Sequence, residues 1–216
     1  MAVDVPEQLH LVESFANSMD VDLGQDDLDS AARFGRWLAA HGFPGAEPGD
    51  PELALAVGIR AALRDELVAH HDRLASTEAR ARLDGYAERI PLRASFAGGP
   101  ATLVPAGQGV TAMLGAVLAA VVLAEREGGW QRLKICREET CQRVFFDKSK
   151  NQSKTWCSMQ VCGNRSKTRT YRDRQREIPL PPLPERPPPP IVPRRPVPPP
   201  ARPVPLPPLP QAPPAP

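Results

Sequence analysis

The stretch CREETCQRVFFDKSKNQSKTWCSMQVCGNR, residues 136–165, contains all four cysteines of the 216-residue chain. They form two close pairs, Cys136-x4-Cys141 and Cys157-x4-Cys162, with 15 residues between the pairs. Each pair can supply two thiolates from one tight turn, and the intervening loop can fold the second pair back over the first. This spacing predicts a tetrahedral metal site that organises the segment around it.

Three other uses of the four cysteines compete with a zinc site. Two disulfides would suit an exported protein, but the acidic N-terminus shows no secretory signal. A redox pair usually has the spacing C-x-x-C, which is absent. An iron–sulfur cluster also takes four thiolates and stays open, although the solvated, lysine-rich surroundings favour zinc. Because four thiolates close the coordination sphere, we predict one structural Zn²⁺ held by Cys136, Cys141, Cys157 and Cys162.

Around the cysteines, the sequence predicts two short strands and one basic helix. The strands are 132–135 and 143–146, and a polar loop follows at 147–154. Gly163 permits a tight turn, and Asn164 is the predicted cap of a helix with the sequence NRSKTRTYRDRQRE. Four arginines of this helix are spaced 4, 3 and 4 residues apart and form one stripe, so a bound polyanion would relieve their mutual repulsion.

The basic residues of this segment are the candidate nucleic-acid contacts. Rows of lysine and arginine bind phosphates, and arginine and asparagine can also read base edges. A merely solvated basic face is the competing interpretation, and the neighbouring zinc site favours nucleic acid. The candidates are Lys148, Lys150, Lys154, Asn164, Arg165, Lys167, Arg169, Arg172, Arg174 and Arg176.

Charge is divided unevenly along the chain. Residues 1–130 carry 10 Lys+Arg and 19 Asp+Glu, a balance of −9, whereas residues 131–177 carry 13 and 5, a balance of +8. Such asymmetry suggests separate tasks, with the basic part facing a polyanion.

The end of the chain has a different composition. Residues 178–216 hold 21 of the 28 prolines and cannot form helix or sheet, because proline lacks the amide donor. We expect a disordered tail of polyproline II character. Its segments of proline and arginine are typical of ligands for proline-motif-binding partners, but the composition favours a solubilising extension without a partner.

The first 130 residues are predicted to be mainly helical. One helix is capped by Asp27 and stopped by Gly42, a second is capped by Asp50, and a third begins at Thr77. The predicted apolar line of the second helix is Ile59, Leu63, Leu67 and Leu74.

Two further segments complete this part of the chain. Extended pieces at 92–96 and 101–104 flank two glycines and predict a hairpin. The most apolar stretch, 109–124, has 16 residues and falls short of the ~20 that a membrane span needs. We therefore predict a buried core helix in a soluble, cytoplasmic protein.

No set of residues suggests catalysis. The polar residues Ser14, Asn17 and Asp20 could line a pocket, but a turn or helix cap explains them equally well. The histidines are scattered, and each is predicted to be solvated or to cap a helix: His10, His41, His70 and His71. We expect no enzymatic activity.

The cysteine-rich segment, residues 136–174, resembles the CGNR zinc finger, a family named after the tetrad at 162–165. Three further motifs carry the resemblance: FxD at 145–147, SxN at 149–151 and WCSM at 156–159. Lys154-Thr155 stand where the family commonly has two arginines. The preceding 130 residues are similar to the ABATE domain that usually accompanies this finger, through LVESFANSMD at 11–20, Trp37-Leu38 and PLR at 91–93.

This resemblance implies a bacterial protein proposed to regulate stress-linked transcription, whose finger binds zinc and nucleic acid. The predicted fold class is α+β. It comprises a mainly helical domain (1–130), a zinc-ribbon-like finger with a basic C-terminal helix (131–177) and the tail (178–216). We expect a nucleoid-associated DNA-binding regulator, and a homodimer through the N-terminal domain is a further hypothesis. An RNA-binding zinc-ribbon protein and an adaptor whose basic helix docks on an acidic partner stay open.

Overall fold

The computed structural model describes residues 5–177, which belong to one compact unit. Its helices are α1 (Glu7–Ala16), α2 (Ala31–Ala40), α3 (Asp50–Ala69), α4 (Thr77–Ala87), α5 (Gly109–Arg126) and α6 (Asn164–Glu177). Three antiparallel sheets pair β1 (Met19–Asp20) with β2 (Gln25–Asp26), β3 (Leu92–Ser95) with β4 (Thr102–Pro105), and β5 (Leu133–Ile135) with β6 (Val144–Phe146). The predicted α+β class is confirmed.

Helix α3 carries much of the hydrophobic core. Ile59, Leu63 and Leu67 recur at helical spacing on one face and are fully buried, as the sequence pattern predicts. Leu74 does not continue this line, because α3 ends at Ala69 and the Leu74 side chain is 62 % exposed. The predicted line is therefore wrong at its last member.

Helix α5 is the apolar stretch of the sequence. Among residues 5–177 it is the one helix long and apolar enough to cross a membrane by length and composition, and half of it is buried inside the protein. It packs against α1 and β4, and Gly115 lies so close to Leu92 and Pro105 that a Cβ there would come within 3.3 Å of both side chains. The predicted core helix is confirmed.

The start of α2 differs from the predicted one. Ser30, not Asp27, caps the helix, since Ser30 Oγ accepts the N–H of Arg33 at 3.4 Å. The chain before it is occupied by the β1–β2 hairpin, and the Asp26 carboxylate accepts the N–H of Leu28 at 2.8 Å. Asp27 therefore belongs to the turn that follows the hairpin, three residues before the cap.

The other predicted elements of the N-terminal part need smaller changes. Gly49 precedes α3, and the Glu52 carboxylate accepts the Gly49 N–H at 2.7 Å, so Asp50 is the first helical residue and not the cap. Helix α4 begins at Thr77 as predicted, and β3 and β4 form the predicted hairpin.

The β5–β6 hairpin is built into the same core as the helices. Leu133, Ile135, Val144 and Phe146 are buried in one apolar cluster with residues of α1, α3 and α5. The two strands lie within one residue of their predicted bounds. The predicted tail, 178–216, lies outside the described residues.

Candidate zinc centre and basic helix

The four cysteine thiols converge on one point. All four Sγ atoms lie within 4.8 Å of one another, and Cys157 Sγ is 3.6 Å from both Cys141 Sγ and Cys162 Sγ. A Zn²⁺ ion with Zn–S bonds of about 2.3 Å would hold its sulfurs about 3.8 Å apart in a tetrahedron. The thiols therefore fit one zinc ion, and because all four positions are filled by protein, the site is structural.

The first cysteine pair lies on a turn at the end of the β5–β6 hairpin. Cys136 continues β5 and donates its N–H to the Arg143 carbonyl at 2.8 Å. Cys141 donates to the Glu138 carbonyl at 2.9 Å, and the next residue, Gln142, has a positive φ of 48°. The turn thus directs both thiols to the same side of the hairpin.

The second pair lies at the start of a helical segment. A π-helical turn, Met159–Gly163, runs directly into α6, and Ser158 caps it by accepting the Val161 N–H at 3.3 Å. Cys162 donates its N–H to the Ser158 carbonyl at 3.0 Å. Zinc binding at Cys162 therefore fixes the first turn before α6.

The thiols need a cation to hold them in the ionised form. Without an ion, burial raises the pKa of the Cys157 thiol to about 11 and also raises the pKa of Cys162. Metal binding must then displace protons, as in other sites where metal uptake is linked to folding. Four thiols that converge on one point match a zinc site better than any role for separate cysteines.

Two aromatic residues and a glycine pack around the cysteines. Phe145 and Trp156 contact the buried pair Cys136 and Cys162. A Cβ on Gly163 would lie 2.5 Å from Met159 Sδ and 3.4 Å from the Trp156 ring. The glycine of the tetrad thus allows close packing, whereas the tight turn that we predicted there is a continuous helical path.

The FxD and SxN motifs organise the loop between the cysteine pairs. Asp147 is fully buried, and its carboxylate accepts from Lys134 Nζ at 2.9 Å, from Ser149 Oγ at 2.6 Å and from the Lys154 N–H at 2.9 Å. Burial alone would raise the pKa of Asp147, but the hydrogen bonds from Ser149 and Lys134 hold it below the usual value. This network makes Asp147 structural.

Helix α6 brings the predicted arginine stripe to one open groove. The groove has a volume of ≈ 810 Å³, and its lining includes Arg165, Arg169, Arg172 and Arg176 together with Asn164. Asn164 does not cap the helix as predicted. Its side-chain amide donates to the Gln160 carbonyl at 2.8 Å, because the helical path already begins in the preceding π turn.

Two of the four stripe arginines are paired with carboxylates. Arg169 donates through both Nη atoms to Glu138, at 2.7 and 3.3 Å, and Glu138 is only 1 % exposed. Arg165 Nη1 lies 3.1 Å from Asp22 Oδ1 in an exposed ion pair. Arg172 and Arg176 make no ion pair or side-chain hydrogen bond with the side chains that the structure describes, those of residues 5–176. The two unpaired guanidinium groups lie farther along α6.

Comparison with protein-family models identifies both parts of the chain. The ABATE model, described as "Putative stress-induced transcription regulator", matches residues 9–126, which is more than half of the chain. The CGNR zinc finger model matches residues 132–175. This chain belongs to the ABATE family, and it carries a CGNR zinc finger. Comparison with curated proteins finds none that matches.

The ABATE domain holds the CGNR finger through side chains that bond its backbone. Asn17 exchanges two hydrogen bonds with the Val144 backbone, and the buried Arg64 donates to the Gln142 carbonyl at 3.0 Å. His70 Nδ1 donates to the Leu133 carbonyl at 2.7 Å. No sequence pattern indicates these roles, because a polar residue that docks a distant segment looks the same in sequence as one that faces solvent.

The predicted roles of the histidines are correct only in part. His10 is exposed, and His41 follows the last residue of α2, so both match the prediction. His70 is fully buried, and its ring plane makes an angle of 85° with that of Trp130. The prediction of a solvated or capping His70 is therefore wrong. His71 is half-buried, and its Nε2 donates to the Ile135 carbonyl at 2.6 Å. Two consecutive histidines thus hold alternate carbonyls of β5.

The remaining basic candidates of the CGNR finger do not line the α6 groove. Lys167 and Arg174 are exposed on other faces of α6. The loop lysines Lys148, Lys150 and Lys154 also lie outside the lining, and Lys154 Nζ sits 5.2 Å from the centre of the Phe145 ring. The structure therefore divides the ten candidate nucleic-acid contacts into five groove residues and five residues elsewhere on the finger.

Proposed function

We propose that this protein is a zinc-dependent nucleic-acid-binding regulator of transcription, and that α6 is its contact element. The ABATE and CGNR matches support zinc binding and a regulatory role. Zinc is a structural cofactor in this proposal, and the protein carries out no catalysis of its own. Its place is the cytoplasm, at the nucleoid.

The observation that carries the proposal is the unpaired half of the arginine stripe. Arg172 and Arg176 line the groove and are exposed, and no carboxylate among the described side chains of residues 5–176 pairs with them. A single Asp173 lies between them in sequence. Guanidinium groups in this arrangement repel each other along the helix, and phosphates bound in the groove would offset that repulsion.

Zinc and nucleic-acid binding are linked through the start of the helix. Cys162 is one residue before Gly163, and α6 follows without interruption from the π turn that contains both. Loss of the ion frees the turn from the other three thiols, and α6 then loses its fixed direction relative to the hairpin. We therefore expect nucleic-acid binding to require zinc, although no nucleic-acid contact touches the ion.

Duplex DNA is the preferred target in this proposal, and RNA is the alternative. RNA recognition usually stacks unpaired bases on exposed aromatic rings. Tyr171 on α6 is 65 % exposed and could serve, whereas Trp156 is packed against the cysteines. One exposed aromatic residue beside several arginines fits phosphate binding along a duplex better than base stacking.

The contact between Arg165 and Asp22 favours a second candidate function. This pair shows that the basic helix already accepts a carboxylate from the ABATE domain. An acidic protein partner could be held in the same way, which would make the finger an interaction adaptor. Homodimerisation and a partner for the proline-rich segment stay predictions.

Competition binding with the full zinc-loaded chain separates these functions. A fluorescein-labelled duplex is titrated with protein at low salt, and unlabelled duplex DNA and structured RNA then compete for it. The proposal expects saturable binding that duplex DNA displaces at lower concentration than RNA does. Stronger displacement by RNA would support the alternative. Absence of binding to both nucleic acids would overturn the proposal and favour the adaptor.

A further inference from the structure

The ABATE domain contains a second cavity that is separate from the α6 groove. It has a volume of ≈ 250 Å³ and lies where α3, α4 and α5 meet, with Trp130 in its wall. Its apolar surface comes from Leu83, Leu118 and Val121. The volume is below the about 300–1,000 Å³ of pockets that hold drug-sized molecules, so only a smaller ligand fits.

A buried carboxylate reaches into this cavity. Glu66 is 1 % exposed and belongs to the lining. Its oxygens accept from the Ser76 N–H at 2.7 Å and from Arg80 Nε at 2.8 Å. A carboxylate can accept about four hydrogen bonds, so Glu66 has capacity for a further donor.

The group next to Glu66 cannot supply that donor. Burial lowers the pKa of His70 and favours the neutral ring, in which Nδ1 carries the proton toward a carbonyl oxygen and Nε2 is an acceptor. Nε2 is buried without a hydrogen bond to any residue that the structure describes, 3.8 Å from Glu66 Oε1. Two buried acceptors thus face each other behind the cavity wall, and His70 supplies no donor to Glu66.

The charged groups around the cavity are mostly acidic, which adds to the excess of hydrogen-bond acceptors. Three carboxylates line it, those of Glu66, Asp84 and Glu125, against the one guanidinium of Arg80. Arg80 already donates to Glu66 and, through Nη2, to Glu125 at 2.6 Å. Asp84 lies at the exposed rim and has no ion pair within residues 5–177. The lining therefore favours a cation and disfavours an anion.

We propose that this cavity binds a small amphipathic amine. Its ammonium group donates to Glu66 and Asp84, and its apolar body packs against Leu118, Val121 and Trp130. An ammonium group supplies three donors to a site that has an excess of acceptors. The apolar body covers the apolar surface of the cavity, and removing that surface from water stabilises the complex.

The same contacts connect the cavity to the zinc finger, so a bound amine changes the docking of β5. Trp130 lies three residues before β5 begins, in the wall of the cavity. Its ring meets that of His70 at 5.1 Å between centroids, and His70 holds the first carbonyl of β5. A ligand that contacts Glu66 and Trp130 therefore touches both elements on which the docking of β5 depends.

Indole NMR of the full zinc-loaded chain tests the site without any nucleic acid. The protein has three tryptophans, so ¹⁵N-tryptophan labelling gives three indole signals, and Trp130→Phe assigns the one of interest. The probes are 4-phenylbutylamine, 4-phenylbutyrate and 4-phenylbutan-1-ol, which share one apolar body. The amine is expected to shift the Trp130 signal saturably, with at least tenfold tighter binding than either other probe.

Three variants locate the binding. Asp84→Asn and Glu66→Gln each remove one carboxylate and should weaken amine binding at least threefold, and Ala87→Trp fills the cavity and should abolish it. Glu88→Gln is the matched control outside the lining and should bind as the wild type does. If Glu66→Gln does not fold, the rim variant Asp84→Asn decides.

Several results would overturn the inference. Equal binding of the alcohol would show that the carboxylates select no cation, and tighter binding of the butyrate would assign the site to Arg80 instead. An unmoved Trp130 signal with all three probes would show that the cavity takes no such ligand. None of these results bears on whether α6 binds nucleic acid, which a separate measurement decides.

Discussion

Asn17 and Val144 exchange two hydrogen bonds, one from Asn17 Nδ2 to the Val144 carbonyl at 2.9 Å and one from the Val144 N–H to Asn17 Oδ1 at 2.8 Å. The asparagine side chain has the same donor and acceptor as a peptide group, so it pairs with β6 as a neighbouring strand would. It thereby joins the end of α1 to the zinc finger, 127 residues farther along the chain.

Asn17→Ala should destabilise the whole unit because it leaves the donor and acceptor of the buried Val144 without partners. The expected loss is about 2–4 kcal/mol of unfolding free energy, since each unsatisfied buried group costs about 1–3 kcal/mol. Urea unfolding of the zinc-loaded chain measures it. Ser14→Ala, which changes another polar residue near the end of α1, serves as the control and should cost less. An unchanged midpoint for Asn17→Ala would mean that the finger does not depend on this contact.

Asp147→Ala should be more damaging, because it leaves the Lys134 ammonium group buried without its carboxylate. Removing one partner of a buried ion pair costs about 3–5 kcal/mol, and the loop between the cysteine pairs also loses its hydrogen bonds. Zinc content after dialysis and the free energy of unfolding are the two readouts. Lys150→Ala, in the exposed part of the same loop, should leave both values as they are. Full zinc retention and stability in Asp147→Ala would contradict the structural role of the FxD motif.

The cysteine cluster and the elements around it could be predicted from the sequence, because their information is local. The spacing of the four cysteines determines which thiols can meet, and two short, mainly apolar stretches, 133–135 and 144–146, mark the hairpin on either side of the first pair. The positions of the arginines on α6 follow from helical periodicity alone. Even the hairpin at β3–β4 is marked by the two glycines between its strands.

The docking of the finger could not be predicted in this way. Asn17, Arg64 and His70 are isolated polar residues whose partners are backbone groups 63 to 127 residues away. A sequence shows no difference between such a residue and a solvated one. The predicted caps failed for a related reason, since Asp27 lies in the turn that follows a hairpin and Asn164 directly follows a π turn that already begins the helical path.

Acid should weaken the folded state through His70. Burial lowers the pKa of His70 below the ordinary histidine value of about 6.5, and burial likewise lowers the pKa of His71. The unfolded chain then binds more protons than the folded one below pH 6.5, so the unfolding free energy falls as the pH is lowered from 7 to 5.

The control for this pH dependence is His70→Asn, whose amide N–H can take the place of Nδ1 toward the Leu133 carbonyl without titrating. Urea unfolding at pH 7, 6 and 5 should show a flatter profile for the variant than for the wild type. The comparison concerns the slope, since the shorter side chain lowers stability at every pH. Identical slopes in the two proteins would show that His70 does not titrate differently on unfolding.

Asp22→Asn should increase nucleic-acid affinity, because it removes the carboxylate that pairs with Arg165 and frees this guanidinium for phosphate. The pair is exposed, so the expected gain is modest, about two- to fivefold at low salt, and it should disappear as salt is raised. Asp29→Asn removes the same charge from an exposed ion pair with Arg33 on the ABATE domain and is the matched control. Equal affinity changes in the two variants would show that the gain comes from the change in net charge and not from the release of Arg165.

The salt dependence of DNA binding tests the central claim, that the unpaired arginines of α6 contact phosphates, most directly. The dissociation constant of the full zinc-loaded chain for one duplex is measured between about 50 and 200 mM salt for three proteins. These are the wild type, Arg172→Ala/Arg176→Ala, and a control with Arg89→Ala/Arg93→Ala, two exposed arginines of the ABATE domain. The double variant on α6 should bind more weakly, with a slope of log affinity against log salt reduced by about 2, while the control keeps the slope of the wild type. Wild-type affinity and slope in the α6 variant would contradict the claim.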